Sequence, residues 1–188
     1  VEEQEATNDF HRIGTVQPLD TPYSRASVAL LVRRRLGWLV GLVLVNIFSG
    51  SAITAFEDLI RLQVALVLFL PLLIDSGGNA GSQAATLVVR ALATGDVTAV
   101  DRWRLLTREA LVSAMLGIAM AAVVFLLGVA RGGWRLGGTV ALAMVAAVMA
   151  SSLIGAALPF LLLRLKADPA AASVPLVTSI ADMSGVVI

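Results

Sequence analysis

Long apolar runs constrain this chain more than any other feature. Four stretches, at about 36–56, 62–89, 105–130 and 136–163, are each long enough to cross a hydrocarbon core of about 30 Å, which takes about 20 helical residues. A fifth run starts near residue 172. The composition agrees, since 58% of the residues are hydrophobic and only 14% are charged. The sequence therefore predicts an all-α protein with five transmembrane helices in a lipid bilayer.

Positive charges lie mostly on one side of these spans. With a cytoplasmic N-terminus, eleven of the fourteen lysines and arginines are cytoplasmic, which leaves three outside. The eleven are Arg12, Arg25, Arg33, Arg34, Arg35, Arg90, Arg102, Arg104, Arg108, Arg164 and Lys166. The three are Arg61, Arg131 and Arg135. Because cytoplasmic loops carry the excess of basic residues, this bias predicts a multi-pass protein of the cell's inner (plasma) membrane with its N-terminus in the cytoplasm.

Two aspartates lie within apolar runs. Asp75 is in the second run and Asp182 is in the last. A carboxylate at the centre of a bilayer costs about 2.5 to 3.5 kcal/mol and is kept where it faces a polar interior. No arginine or lysine occurs at a matching depth of either run, which disfavours a purely structural ion pair. Both aspartates are therefore candidate functional residues.

Polar and small residues continue from each aspartate along one helical face. In the second run, Asp75, Gly78, Asn79, Ser82 and Thr86 follow the spacing i, i+3, i+4, i+7, i+11. The spacing predicts one polar stripe, with glycine allowing backbone or a hydrated ligand to approach.

The last run repeats this pattern, because Thr178, Asp182 and Gly185 follow i, i+4, i+7. Pro71 precedes the first stripe and cannot donate to the carbonyl of Val67, so we expect a kink and a freed carbonyl there. Two polar stripes on apolar helices indicate a water-lined path.

The candidate ligands on this path are oxygen atoms. They belong to Asp75, Gly78, Asn79, Thr178 and Asp182. The chain has no cysteine, and its one histidine lies outside every span, so oxygen ligands suit Mg²⁺, Ca²⁺ or Mn²⁺ better than zinc or copper. One Asp182 per subunit supplies one negative charge, and two subunits would balance a divalent ion.

Other functions fit the residues less well. An aspartyl intramembrane protease also needs two carboxylates, but Asp75 follows Leu73 and Ile74 and so lacks the Gly-x-Gly-Asp motif of such enzymes. A serine–histidine intramembrane protease is excluded because His11 is outside the spans. Nucleic-acid binding is disfavoured, since the basic residues are few and flank membrane helices. The remaining alternatives to a cation channel are a cation-coupled secondary transporter with the same site and a structural helix bundle.

The pattern Pro-x-x-x-Asp-x-x-Gly-Asn-x-Gly-x-Gln over residues 71–83, followed by Val89, Arg90 and Gly95, resembles the signature of the MgtE magnesium channels. Further matches lie at Arg35-x-x-Trp38-Leu39, Phe56-Glu57, Asp168-Pro169-Ala170 and Thr178-x-x-x-Asp182-x-x-Gly185. The similarity covers roughly residues 25–188. It implies no enzymatic activity and a homodimeric pore for Mg²⁺, lined by the second and fifth helices, with Asp182 as central ligand and Gly78 and Asn79 beside the path.

The resemblance also implies a division of the chain. Residues 1–20 look like the end of a cytoplasmic connecting helix, and 21–188 like the pore domain, with a fifth helix that is truncated and sensing domains that are absent from this sequence. Glu5 and Asp9 share one helical face in the first segment, and Asp168 precedes the last span on the same side. We expect these three carboxylates to form a regulatory Mg²⁺ site.

Overall fold

The structure is a computed structural model, which describes residues 23–55, 64–167, 169 and 174–187. In these ranges every regular element is helical. Four α-helices follow one another: α1 (Val28–Ala55), α2 (Leu70–Ala93), α3 (Arg102–Arg164) and α4 (Val174–Val187). Short 3₁₀ turns occur at Tyr23–Arg25, Val64–Leu68 and Ala99–Asp101. The expected all-α class is confirmed.

The helix α3 is a hairpin of two arms. Its helical backbone is interrupted at Gly132 (φ −160°, ψ 19°) and at Gly133 (φ 82°, ψ 179°). The second pair of angles is essentially restricted to glycine, which has no Cβ to collide with the backbone. The break falls between the predicted spans 105–130 and 136–163, so the two arms correspond to those spans.

The arms of α3 run antiparallel and touch through glycine. A Cβ added to Gly117 would lie 3.1 Å from the Cα of Val145, and one added to Gly128 would lie 2.6 Å from the Cα of Gly137. Small residues of this kind let helix backbones approach closely in a membrane, where packing rather than the hydrophobic effect holds helices together.

The start of α2 corrects one expectation. Pro71 lies in the first turn of α2, which begins at Leu70, and not in the middle of a longer helix. A proline in the first turn removes no intrahelical hydrogen bond, because the N–H groups there have no helical partner. Pro71 therefore starts the helix and does not kink it.

The helix α2 lies against both α3 and α4. A Cβ added to Gly77 would lie 2.8 Å from Ser151 Oγ, and one added to Gly81 would lie 2.7 Å from the carbonyl oxygen of Ser151. One added to Gly155 would collide with the backbone of Gly81. We call these four residues the glycine seam; their order shows that α2 runs parallel to the C-terminal arm of α3.

The direction of the helices separates the charges. Because α2 and the C-terminal arm of α3 are parallel, Arg90 and Arg164 lie at one end of the bundle, together with Arg102 at the start of α3. We call this the basic end. Arg131 and Arg135 flank the turn at the opposite end. This separation matches the charge bias predicted from the sequence, and a cytoplasmic location of the basic end belongs to the proposal below.

By length and composition, two stretches among the described residues could cross a membrane: Ala65–Ala93 and Ala99–Arg164. The second has 66 residues, or about 100 Å of helix, and folds back at its midpoint. Large apolar side chains are exposed on its outer faces, including Leu111, Met115 and Leu126. Exposed faces of this composition suit contact with lipid.

The glycine seam gives a direct test of the packing. We expect Gly155→Ala to destabilise the protein by about 1 to 3 kcal/mol, as overpacking does in a tight core. Gly138→Ala is the matched control, since it lies on the same arm of α3 and a Cβ there meets nothing within 4 Å. Thermal unfolding in mild detergent measures both. Equal melting temperatures for the two variants would contradict the close contact.

Candidate functional site

The polar stripe of α2 forms as predicted. Asp75, Asn79 and Thr86 are exposed, whereas Gly78 and Ser82 are buried at the edge of the same face. Asn79 Nδ2 donates a hydrogen bond to Asp75 Oδ2 at 3.2 Å. This i, i+4 bond directs the amide and the carboxylate toward each other, so the two side chains form one polar unit.

The stripe of α4 faces that of α2. Thr178 Oγ1 donates to the carbonyl oxygen of Val174 at 2.6 Å and lies 3.2 Å from Ser82 Oγ. A hydroxyl has one proton, and Thr178 uses its proton on Val174, so Ser82 is the donor in the second bond. The Ser82–Thr178 bond therefore joins the two stripes directly.

Gly78 is the point of closest approach between these stripes. A Cβ added there would lie 2.8 Å from Thr178 Cγ2 and 3.4 Å from Asp182 Oδ1. Asp182 is half-buried beside this bare backbone. Its carboxylate is also close enough to Asp75 for the two negative charges to repel each other. The structure thus brings together all five residues predicted for the central site.

Neither aspartate is neutralised within the part of the chain described. Among the described residues, the charged neighbour that acts on Asp182 is Asp75, and no lysine or arginine of these ranges does so. The bonded partner of Asp75 is the neutral Asn79. Two adjacent carboxylates without a cationic partner favour a bound cation, and oxygen donors of this kind suit a hard divalent ion.

A cavity of about 410 Å³ continues from this site toward the basic end. Its lining consists of Asn79, Ser82, Gln83, Thr86, Leu87 and Val174. Four of these six residues have polar side chains. The helical spacing placed Ser82 and Thr86 on the polar stripe but not Gln83, which belongs to the signature over residues 71–83, and it gave no indication of Val174.

A second polar contact was also missed. Glu109 lies in the predicted span 105–130, and its carboxylate is within hydrogen-bonding reach of the Ser152 hydroxyl on the other arm of α3. Ser151, one residue earlier, is fully buried against Gly77, and its Oγ has no hydrogen-bond partner in the described structure. An acidic residue within an apolar run was the available signal for Glu109.

Two further observations concern metal ligands. Among the described residues there is no group of three or more His, Cys, Asp or Glu side chains that could together hold a metal ion. The central site accordingly has two carboxylates, not three. Glu5, Asp9 and Asp168, which were predicted to regulate the protein, lie outside the described residues.

These features define an all-helical protein with an acidic, oxygen-lined site between two apolar helices. Comparison with known families agrees, since residues 70–188 match the MgtE family model, described as a divalent cation transporter. The chain belongs to the MgtE family, which confirms the resemblance seen in the sequence.

Individual relatives match nearly the whole chain. It is 40% identical over 190 residues to a protein of Thermus thermophilus named magnesium transporter MgtE, and the match covers 99% of this chain. Proteins with the same name from Bacillus subtilis and Enterococcus faecalis are 31% and 30% identical, with 98% and 99% of this chain covered. The matched region spans 41% of the length of each relative.

The unpaired charges of the site predict a stability effect. In divalent-free buffer we expect Asp182→Asn to raise the melting temperature by about 2 to 4 °C, or about 1 kcal/mol for a chain of this size, because a half-buried carboxylate repelled by Asp75 is replaced by a neutral isostere. Added Mg²⁺ should stabilise the wild type more than the variant. Thermal unfolding with and without Mg²⁺ measures both effects.

Asp96→Asn serves as the control for this experiment. Asp96 is exposed and its Oδ2 accepts a hydrogen bond from Thr94 at 2.9 Å. We expect no rise in melting temperature from that change. A lower melting temperature for Asp182→Asn than for the wild type would show that the Asp182 carboxylate is stabilised in the ion-free protein.

Proposed function

We propose that this chain is the transmembrane pore domain of a Mg²⁺-selective channel. The observation that carries the proposal is the position of Asp182, whose carboxylate faces the bare backbone of Gly78 and repels Asp75. The path runs between α2 and α4, which are the second and fifth helical segments when the arms of α3 are counted separately. The names of the three relatives support magnesium as the transported ion.

The site suits an ion that keeps its water. Mg²⁺ dehydrates reluctantly and is usually held by one or two carboxylates together with several waters. Six waters at about 30 Å³ each occupy about 180 Å³. The neighbouring cavity of about 410 Å³ has room for such a shell, and its amide and hydroxyl groups can bond to it. We infer that Asp182, Asp75, Asn79, Gly78 and Thr178 bind the hydrated ion through these waters.

A homodimer is part of the proposal. Asp182 of one subunit contributes one negative charge, so two subunits that share the path supply the two charges of a divalent ion. The exposed face of α2 with Asp75, Asn79 and Thr86 then faces the partner and not lipid. In this arrangement the basic end is cytoplasmic and the protein lies in the plasma membrane. A cysteine at Thr86 that crosslinks between subunits would support the shared path; a light-scattering mass of a single subunit would oppose it.

Ion flux tests the central residue. We expect Asp182→Asn to reduce Mg²⁺ uptake by protein-containing liposomes to the level of empty liposomes, since the amide keeps the shape but loses the charge. Asp75→Asn should have a smaller effect, because Asp75 is more exposed and shares its face with Asn79. Gly138→Ala, where the added Cβ meets nothing within 4 Å, is the control with unchanged flux. Wild-type flux through Asp182→Asn would refute the role of Asp182.

A cation-coupled secondary transporter is the alternative, since it would use the same site. Single-channel recording separates the two, because the ion flux through an open channel exceeds the turnover of any carrier.

The same recordings test the regulatory hypothesis for Glu5, Asp9 and Asp168. If Mg²⁺ bridges these carboxylates and favours a closed state, their neutralisation in a protein with the full cytoplasmic region should leave the channel open at Mg²⁺ concentrations that close the wild type. Closure at an unchanged concentration would exclude that site.

A further inference from the structure

The connection between α2 and α3 has a second charged cavity, away from the ion path. It measures about 270 Å³ and is lined by Asp96, Val97, Asp101, Arg104, Leu105 and Arg108. Two arginines and two aspartates therefore face the same space, with two apolar side chains among them. The cavity lies at the basic end, where the bundle would meet the membrane surface.

The two carboxylates are positioned by neighbouring threonines. Thr94 Oγ1 donates to Asp96 Oδ2 at 2.9 Å. The backbone N–H and the hydroxyl of Thr98 both donate to Asp101 Oδ2, at 3.0 and 2.7 Å. All three bonds use Oδ2, so Oδ1 of each carboxylate remains able to accept a proton donor from a ligand.

Exposed apolar side chains place this connection at the edge of a bilayer. Val100 is 87% exposed and Trp103 is 67% exposed, although both are large and apolar. The guanidinium of Arg102 lies over the Trp103 ring, with 5.9 Å between Cζ and the ring centroid. Tryptophan is enriched where hydrocarbon meets headgroups, and arginine there contacts lipid phosphate. The connection thus carries a membrane-facing group of side chains, Val100, Arg102 and Trp103, beside a charged cavity.

We propose that this cavity binds the headgroup of a phospholipid that carries both a phosphate and a primary ammonium group, such as phosphatidylethanolamine. Arg104 and Arg108 would bind the phosphate, since guanidinium groups match its oxygens in pairs. Asp96 and Asp101 would accept hydrogen bonds from the ammonium through Oδ1. Val97 and Leu105 contact the glycerol region. A lipid with phosphate alone leaves Oδ1 of both carboxylates without a donor from the ligand, although Arg104 attracts Asp101, and a quaternary ammonium has no N–H to donate.

Native mass spectrometry of the purified protein tests this assignment. The probes are phosphatidylethanolamine, phosphatidylglycerol and phosphatidylcholine with identical acyl chains, and inorganic phosphate as a competitor. We expect phosphatidylethanolamine to bind roughly tenfold more tightly than either other lipid. A tenfold difference in affinity is what about one charge-assisted hydrogen bond contributes. Equal binding of all three lipids would overturn the proposal. Displacement by inorganic phosphate would identify a free-phosphate site and overturn it as well.

Matched variants locate the binding. Replacing Arg104 and Arg108 together by glutamine should lower the affinity for phosphatidylethanolamine at least tenfold. A decrease of roughly this size follows when one or more charge-assisted hydrogen bonds to the phosphate are lost. The control replaces Arg131 and Arg135, which flank the turn of α3 at the opposite end of the bundle, where Arg135 lies over the Trp134 ring. Equal losses for both pairs would show non-specific charge attraction and refute the site.

A single carboxylate variant covers the case in which the double variant does not fold. Asp96→Asn removes the charge of an exposed side chain, so folding should be unaffected. It should weaken phosphatidylethanolamine binding several-fold and leave phosphatidylglycerol binding unchanged. An equal change for both lipids would show that Asp96 does not contact the ammonium group.

Discussion

Close contact between backbones at glycine is the constraint on which the rest of this structure depends. A membrane offers little hydrophobic gain when one helix packs against another, so the gain comes from van der Waals contact. The glycine seam lets α2 touch the C-terminal arm of α3, and Gly78 lets α2 approach α4. With α2 held on two sides, its remaining face is the polar one. The position of the acidic site is therefore a result of how α2 is packed.

The acidic site is unfavourable to the fold taken alone. Asp75 and Asp182 are close, carry like charge and have no basic partner in the described residues. Packing elsewhere must offset this cost. The fully buried side chains of Val140, Met144 and Val148 on the C-terminal arm of α3 contribute to that stabilisation. Such a local conflict between stability and charge is typical of functional sites. It supports the view that these carboxylates are kept for an ion.

The sequence predicted the composition of the site better than its surroundings. Helical spacing alone placed Asp75, Asn79 and Asp182 on polar stripes, because periodicity within one helix needs no knowledge of neighbours. The kink predicted at Pro71 was wrong. A proline kinks a helix from its interior but starts one from its first turn, and the apolar run, which begins near residue 62, did not show that α2 begins at Leu70. Val174 and the Glu109–Ser152 contact were missed because they depend on the register between helices. Contacts at individual glycines set that register, and the hydropathy of a sequence does not show which glycines make such contacts.

The turn of α3 limits how the length of this chain can vary. Only Gly132 and Gly133 leave the helical conformation between two long arms, and Gly133 has a conformation that other residues avoid. One residue added within the C-terminal arm would rotate every following side chain by about 100° about the helix axis. Ser151 and Gly155 would then face away from α2. Insertions and deletions should therefore be excluded from the stretch between Gly133 and the glycine seam.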